Sequence, residues 1–238
     1  MRVLEIECLR KSFGGLIAVA DADFHVDEGE IVGLIGPNGA GKTTIFNLVS
    51  GTIKPTSGRI RFKGEDVTNM KPHAICRRSM ARTFQSVNLF PQMSVLENTL
   101  IGALFGASIG SINEAGKKGL ELLSFVGLSG KENLPAGELS VPDQKRLEIA
   151  RALATEPELL LLDEVMAGLN ASEVASALSL IKEINNRGIT ILMIEHIMHA
   201  IMGVSDRIIV LHYGRKLAEG TPEEVCNNKE VIEVYLGE

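Results

Sequence analysis

The chain has 238 residues, of which 45% are hydrophobic and 23% charged, so it can bury a full core, and its composition excludes a disordered protein. Its formal net charge of −6, without a long run of lysine or arginine, argues against a nucleic-acid groove and still allows a small anionic ligand in a locally positive site. Three widely spaced cysteines without a C-x-x-C pair argue against a disulfide framework and a zinc site, and favour a reducing cytosol.

Neither a signal peptide nor a membrane span is expected. The amino-terminal stretch MRVLEIECLRKSFGG carries charges too early for a secretion signal. The longest uncharged stretch, residues 98–113, has 16 residues, whereas a helix that crosses a bilayer needs about 20. We therefore expect a chain that is soluble, or peripheral to a membrane through a partner.

The chain begins with two predicted strands, and a third strand, a loop and a helix follow them. VLEIECL and IAVADADFHV alternate as strands do, and the apolar run in EIVGLIG then ends in glycines before helical spacing begins. The helix is expected to end at Gly51. Its inner face is formed by Ile45, Phe46, Leu48 and Val49.

The loop before this helix reads GPNGAGKT, residues 36–43, and matches the phosphate-binding pattern G-x-x-x-x-G-K-[ST] in the context that the pattern requires. Gly39 and Gly41 let backbone N–H groups turn inward to cradle a β-phosphate. Lys42 supplies positive charge for the β- and γ-phosphates, and Thr43 offers a hydroxyl to Mg²⁺. A flexible glycine turn, the alternative, would not need the Lys-Thr pair. Gly36 and Asn38 of this loop, and Thr44 directly after it, are three further expected nucleotide contacts.

The middle of the chain is expected to be an inserted helical subdomain. Residues from about 70 to 136 lack the alternation of strand and helix and look mainly helical, and we place the subdomain approximately at 86–157 within a single domain, 1–238. In LSVPDQKRLEIARAL, Ser140 is the predicted N-cap and Asp143 completes an S-x-x-D capping box. Pro142 stands in the first turn of this helix and has no N–H to offer a phosphate.

The rest of the chain alternates strand and helix, as a parallel sheet requires. ELLLLDE is a strand, SEVASALSLIKEINNRG a helix and ITILMIEH a strand; RIIVLHYGRKLAEG then reads as a hairpin. The last helix begins at TPEEV, with Thr221 as N-cap, Pro222 at N1 and Glu224 at N3.

Two acidic residues follow the leucine-rich strand, at the end where open α/β sheets hold ligands. Asp163 can hold Mg²⁺ through its water shell, and Glu164 can orient or deprotonate an attacking water. Many buried strands end in an acidic residue, so this pattern indicates a catalytic site only together with the phosphate loop.

Three more residues have both a structural and a functional interpretation. Gln85 in ARTFQ and His196 in MIEH are, taken alone, polar residues that cap the end of an element. Beside a phosphate loop, a carboxamide can sense Mg²⁺ and the attacking water, and a histidine can reach a γ-phosphate oxygen. Phe13 in KSFGG is either a turn aromatic or a platform on which adenine stacks.

The stretch TLIGALFGASIGSI has glycines at positions 102, 106 and 110. This spacing has three interpretations: helix packing in a membrane, a tight contact inside the subdomain, or a face toward a membrane subunit. The short uncharged length favours the tight contact, and we rank the face toward a membrane subunit second.

The order and spacing of these features resemble the ATP-binding cassette (ABC) ATPases over essentially the whole chain. They are the phosphate loop, Gln85, the helix start at Leu139, Asp163 with Glu164, Asn170, and His196. PHAICRRSMARTFQ, LFPQMSVLENTLIG, QKRLEIARALATEPELLLLDE and AEGTPEEV look most like the ATPase subunits of branched-chain amino acid importers. The implied fold is α/β: a P-loop NTPase core with a mainly parallel sheet, an N-terminal antiparallel β subdomain and the helical insertion.

The resemblance also implies partners and a mechanism. Two ATPase subunits, identical or different, close head to tail, so that Ser140 contacts the ATP held by the phosphate loop of the partner subunit. ATP and Mg²⁺ are the implied cofactors, and hydrolysis drives an importer whose permease subunits hold the chain at the cytoplasmic side of the inner or plasma membrane. A short helix of the permease docks near the loop that contains the glutamine.

The chain departs from the family pattern at the signature helix. Where the family has LSGGQ, or in this branch LSYGDQ, Val141 and Pro142 occupy the two middle positions, and Val165 replaces the usual proline after Glu164. One backbone donor to the γ-phosphate is thereby lost. This leaves a second interpretation, a nucleotide-binding module or weakly active partner of an intact ATPase. A soluble ATPase of the same superfamily acting in translation or repair is a third, but such chains usually carry two cassettes or long inserts.

Overall fold

The structure is a computed structural model that describes residues 1–106 and 111–236. The strands are β1 (Arg2–Phe13), β2 (Leu16–Asp27), β3 (Ile31–Ile35), β4 (Ser57–Phe62), β5 (Glu65–Asp66), β6 (Met80–Arg82), β7 (Leu159–Asp163), β8 (Thr190–Ile194), β9 (Arg207–His212) and β10 (Arg215–Gly220). The α-helices are α1 (Lys42–Val49), α2 (Pro72–Cys76), α3 (Val95–Phe105), α4 (Ile112–Phe125), α5 (Val141–Leu153), α6 (Ala171–Asn186), α7 (Met198–Val204), α8 (Pro222–Cys226) and α9 (Lys229–Leu236), with a 3₁₀ turn at Ala136–Glu138.

The strands form two sheets. The N-terminal sheet is antiparallel with the order β2-β1-β4-β5, and the central sheet has six strands in the order β10-β9-β3-β8-β7-β6. In the central sheet β6, β7, β8, β3 and β9 run parallel, and β10 adds an antiparallel edge. The α/β core and the antiparallel N-terminal sheet agree with the fold class expected from the sequence.

The central sheet lies between two apolar cores, which explains why its middle strands are apolar throughout. Leu159 and Leu161 of β7 pack with α1 and the N-terminal sheet. Leu160 and Leu162 pack on the opposite face, with the helices from α3 to α7. Because β3, β7 and β8 are parallel, their carboxyl ends meet at one edge, where polar residues of distant sequence position come together.

Most predicted elements are confirmed. Ser140 is the N-cap of α5, and Thr221, Pro222 and Glu224 open α8 with a capping box. The capping box predicted for α5 is not formed, because the Asp143 carboxylate accepts from Ser140 Oγ and not from the Ser140 N–H. The four apolar residues of α1 are buried, and Gly51, with a φ of 70°, follows the end of that helix. Between residues 86 and 157 the described regular elements are α3, α4, the 3₁₀ turn and α5, while the extent of this subdomain stays a prediction. The strands β4, β5 and β6 were not predicted, and β6 interrupts the segment from about 70 to 136 that was expected to be mainly helical. β5 and β6 carry too few residues to show a pattern.

Two glycines of the uncharged stretch, Gly102 and Gly106, lie close to the end of α5. A Cβ atom on Gly102 would lie 2.1 Å from the Arg151 carbonyl oxygen, and one on Gly106 would lie 2.6 Å from Thr155 Cα. Both glycines therefore let α3 approach the end of α5 closely, which favours the tight contact over membrane packing. Gly110 lies outside the described residues. Within residues 1–106 and 111–236, no helix is long and apolar enough to span a membrane.

Candidate nucleotide and catalytic site

The phosphate loop runs from the end of β3 to the start of α1. All three of its glycines adopt backbone angles that other residues rarely reach, with φ 151° at Gly36, 80° at Gly39 and 101° at Gly41. Space is also restricted, because a Cβ on Gly36 would lie 2.2 Å from the Leu211 carbonyl oxygen and one on Gly41 would lie 2.5 Å from that of Ala18. Gly41 is the N-cap of α1, so the free N–H groups of the first turn face the loop.

Lys42 places a positive charge inside this loop. Its side chain is buried, and Nζ donates hydrogen bonds of 2.7 Å to the Gly36 carbonyl and 3.0 Å to the Pro37 carbonyl. Burial lowers the pKa of Lys42, while the carboxylates of Glu164 and Asp163 oppose the shift. An anionic phosphate would replace the two carbonyl groups as acceptors and would balance the positive charge of the buried ammonium.

Glu164 follows β7 and is held at both carboxylate oxygens. Gln85 Nε2 donates to Oε2 at 2.8 Å, and His196 Nε2 lies 2.7 Å from Oε1. Because a carboxylate only accepts, the glutamine turns its NH₂ to Glu164, and its carbonyl oxygen accepts no hydrogen bond from the described residues. Glu164 has a φ of 52°, a conformation that costs a non-glycine residue about 1–3 kcal/mol. The surrounding contacts must therefore fix this backbone, and Lys145 Nζ donates to the Glu164 carbonyl at 3.1 Å.

Asp163 is buried beside Glu164 and binds an arginine. Its Oδ2 accepts a 2.7 Å hydrogen bond from Arg82 Nη2, and its Oδ1 has no hydrogen-bond partner among the described residues. Burial raises the pKa of Asp163, and the Arg82 guanidinium opposes this shift. A buried carboxylate oxygen without a partner is suited to a hard cation or to its water shell.

The donor set fits Mg²⁺. The residues expected to hold it, Thr43, Gln85 and Asp163, offer a hydroxyl, a carbonyl and a carboxylate oxygen, which are the ligands that Mg²⁺ prefers. Throughout the described ranges, no group of three or more His, Cys, Asp and Glu residues forms a protein-only metal site. Phosphate and water oxygens would have to complete the coordination, as is usual for magnesium bound with a nucleotide.

One cleft of about 430 Å³ brings most of the predicted residues together. Those that line it are Phe13, Asn38, Gly39, Gly41, Lys42, Thr43, Thr44, Gln85, Glu164 and His196. Gly36 and Asp163 lie behind its surface, where one fixes the loop and the other binds Arg82. Phe13 is half-exposed at the rim, with Lys11 Nζ 4.9 Å from its ring centroid, so it can offer a flat face to a base.

Ser140 lies outside this cleft and is exposed. The Asp143 N–H donates to Ser140 Oγ at 3.4 Å, and Ser140 Oγ donates to Asp143 Oδ2 at 2.9 Å. The Gln144 N–H bonds the Ser140 carbonyl, and Pro142 has no N–H. Within the described part of the chain, Val141 thus carries the first-turn N–H of α5 that has no acceptor.

Two buried cations near Glu164 were missed by sequence reasoning. Arg82 and Lys145 are separated in sequence from the carboxyl end of β7, and no local pattern pairs them with it. The only signal is a charged residue next to apolar ones, as in MARTF, and such residues are usually exposed.

Comparison with known proteins agrees with this geometry. Residues 19–167, which include the phosphate loop, the signature helix and Glu164, match the ABC transporter family. The chain belongs to this family. It is therefore an ABC-type ATPase, and residues 215–238 also match the family described as branched-chain amino acid ATP-binding cassette transporter.

Relatives cover the whole length of this ATPase. It is 42% identical over 99% of its length to the high-affinity branched-chain amino acid transport ATP-binding protein BraF of Pseudomonas aeruginosa, of which 98% is covered. It is 43% identical, with the same coverage of both chains, to the corresponding protein LivG of Escherichia coli K12. Among solved structures, the ADP conformation of the ATP-binding cassette MJ1267 is 33% identical, covers 100% of both chains and superposes with a TM-score of 0.91. A dimeric bacterial ABC transporter cassette, MJ0796, is 27% identical over 92% of this chain and 98% of its own, with a TM-score of 0.83.

Proposed function

We propose that this ATPase powers a membrane importer of branched-chain amino acids. The observation that carries the catalytic part is that Glu164, with both oxygens held, lines the same cleft as the phosphate loop. The substrate class is that of the relatives BraF and LivG, because the permease and not the ATPase contacts the cargo.

In this proposal the cleft binds ATP through the phosphate loop. Backbone N–H groups of the loop and of the first turn of α1 cradle the β-phosphate, and Lys42 leaves its two carbonyl acceptors to bind the β- and γ-phosphates. Phe13 stacks on the adenine. Asn38 and Thr44, which line the cleft, add polar contacts to the phosphates.

Hydrolysis follows from the group around Glu164. The carboxylate accepts a proton from the attacking water, and Gln85 keeps it oriented. His196 donates to Glu164 in this structure and would turn its N–H to a γ-phosphate oxygen once ATP is bound. Thr43, Gln85 and Asp163 would hold Mg²⁺, Asp163 through water. The cation would neutralise charge on the phosphates.

Two subunits are needed for a complete site. Ser140 and the start of α5 are exposed and lie outside the subunit's own cleft, which suits a contact with the ATP of a partner subunit. The relative MJ0796 is dimeric, which supports a head-to-tail dimer of identical or related chains.

The permease is the second proposed partner. A groove of about 290 Å³ lies among α2, α3 and α5, and its lining includes Ile75, Cys76, Arg82, Phe84, Phe105 and Arg151. Phe84 and Phe105 are 41% and 70% exposed, and Phe84 directly precedes Gln85. We propose that a helix of the permease docks in this groove and keeps the ATPase at the cytoplasmic face of the membrane.

Transport measured with purified components tests the proposal. The chain is coexpressed with transmembrane subunits encoded beside it and reconstituted into vesicles with radiolabelled leucine, isoleucine or valine. We expect amino-acid uptake that requires ATP and stops in the Glu164→Gln variant. ATP turnover without uptake of these amino acids would refute the substrate class, and absence of turnover with the partners present would favour a nucleotide-binding module with a degenerate signature.

A further inference from the structure

Arg82 joins three elements of the fold beneath the catalytic site. It ends β6, and its guanidinium donates to Asp163 at the end of β7 and to Asn47 and Ser50 at the end of α1, at 2.7, 2.7 and 3.0 Å. Its side chain is 7% exposed and that of Asp163 is 1% exposed. The rigid fork of an arginine fixes the direction of such contacts more firmly than a flexible lysine does.

Two aromatic rings hold the guanidinium in place. Arg82 Cζ lies 5.6 Å from the ring centroid of Phe46 in α1 and 5.1 Å from that of Phe84. Such contacts between a cation and a ring are attractive at these distances. Arg82 and Phe84 both line the groove described above, so the guanidinium lies between the groove and Asp163.

The arrangement leaves one oxygen of Asp163 available. Arg82 binds Oδ2, while Oδ1 has no partner in the described residues. The carboxylate is therefore held in one orientation by the arginine. Groups that orient a metal-binding side chain commonly contribute about 10- to 100-fold to metal affinity.

We propose that Arg82 is a positioning residue that orients Asp163 for Mg²⁺. Because Arg82 also lies in the wall of the groove, a permease helix bound there would change the affinity of the site for Mg²⁺. The proposal rests on the role of Asp163 proposed above. It assigns to an arginine the link between the groove, α1 and the carboxylate of β7.

Nucleotide affinity with and without Mg²⁺ tests the first part. ADP binding to the purified chain is titrated calorimetrically in Mg²⁺ and in EDTA. We expect Arg82→Met to reduce the Mg²⁺-dependent gain in affinity by about tenfold or more and to leave the affinity in EDTA unchanged. Arg82→Lys, which keeps the charge without the fork, should fall between. Asn47→Ala removes one neighbouring acceptor and should cause a smaller loss, which keeps the test open if Arg82→Met does not fold.

The controls separate positioning from a general structural effect. Arg78→Met removes an exposed arginine that pairs with Glu65 in the same segment, and it should change neither affinity. Asp163→Asn should lose the Mg²⁺-dependent gain, and Arg82→Met should add little to that loss, because residues that act together are not additive. Equal losses in Mg²⁺ and EDTA, or additive losses, would overturn the proposal. A normal gain in Asp163→Asn would instead refute the proposed role of Asp163.

A native cysteine gives access to the groove for the second part. Cys76 lines it, while the exposed Cys8 and Cys226 can be replaced by serine. Burial raises the pKa of the Cys76 thiol, so N-ethylmaleimide is applied at mildly alkaline pH and the adduct is verified by mass. Cys76→Phe supplies similar bulk if the thiol does not react.

We expect the adduct to lower the Mg²⁺-dependent gain in ADP affinity severalfold when Arg82 is present. In the Arg82→Met variant the adduct should have no further effect on this gain. Cys76→Ser treated with the reagent should behave as the untreated protein. An adduct without effect, or with the same effect in both backgrounds, would show that Arg82 does not connect the groove with Asp163.

Discussion

His196 Nε2 lies 2.7 Å from Glu164 Oε1, and this contact joins the carboxyl ends of the neighbouring strands β8 and β7. Since the carboxylate only accepts, the imidazole must carry its proton on Nε2. The same nitrogen would be needed by a γ-phosphate oxygen. When ATP binds, His196 is therefore expected to leave Glu164 and to donate to the γ-phosphate. This frees Oε1 of Glu164 for the attacking water.

The first prediction concerns Lys42, the buried cation of the phosphate loop. Lys42→Ala should weaken ATP binding by roughly 10- to 100-fold, because a hydrogen bond to a charged group is worth about 1.5–3 kcal/mol. Calorimetric titration measures the effect, and Lys54→Ala, an exposed lysine, serves as the control. Near-normal affinity of the Lys42 variant would mean that the loop is purely structural.

The second prediction concerns Pro142, at N2 of the helix that should meet the partner's ATP. Restoring an N–H with Pro142→Gly, alone or with Val141→Gly, should strengthen ATP-dependent dimerisation and raise turnover. The lost donor is worth about 1.5–3 kcal/mol, whereas glycine in a first turn costs at most about 1 kcal/mol. ADP affinity of the monomer should stay the same.

Light scattering with ATP in the Glu164→Gln background measures this dimerisation. Pro222→Gly is a control, because that proline also lies in the first turn of a helix with a hydroxyl N-cap but outside the signature. If the Pro142 change alters neither dimerisation nor turnover, Ser140 and the remaining N–H groups suffice for the contact.

The third prediction concerns the pH dependence of stability at Glu30. This carboxylate accepts two hydrogen bonds from Arg207, at 2.7 and 2.8 Å. Burial alone would raise the pKa of Glu30, but Arg207 and the Asp27 N–H hold it below its ordinary value. The charged form therefore stabilises the fold above the unfolded pKa, about 4.3, and the contribution is lost as pH falls through the lower, folded pKa.

Glu30→Gln should thus lower the free energy of unfolding by about 1–2 kcal/mol at neutral pH, and the difference from the wild type should shrink below about pH 4. Urea unfolding at several pH values measures it. Glu5→Gln, which removes a partner from the exposed pair with Arg2, should change stability little. A Glu30 difference that grows toward acid would contradict the sign of the shift.

The fourth prediction separates packing from membrane contact in α3. Gly102→Ala should destabilise the fold by about 1–3 kcal/mol, because the new Cβ meets the Arg151 carbonyl. Gly116→Ala, in α4 and with open space around it, should instead stabilise by about 0.4–1 kcal/mol. Thermal unfolding of both variants in detergent-free buffer distinguishes them, and a neutral Gly102 variant would argue against the tight helix contact.

The sequence allowed the cleft to be predicted wherever its residues lie in contiguous motifs. The phosphate loop follows a strand and opens a helix, and Glu164 and His196 each follow an apolar strand, so parallel pairing alone brings them to one edge. The contact of Arg82 with Asp163 could not be predicted, because the two residues are 81 positions apart and β6 pairs with β7 through only three residues. The left-handed backbone conformation of Glu164 could not be predicted either, because tertiary contacts impose it and not the residue type.

Turnover of the Glu164→Gln variant tests the central claim most directly. If Glu164 is the general base of an ABC-type ATPase, the variant should bind ATP as tightly as the wild type, hydrolyse it at least about 100-fold more slowly, and accumulate as an ATP-bound dimer in light scattering. Unchanged hydrolysis would show that Glu164 is not the general base. It would also contradict the assignment of the cleft as the catalytic site.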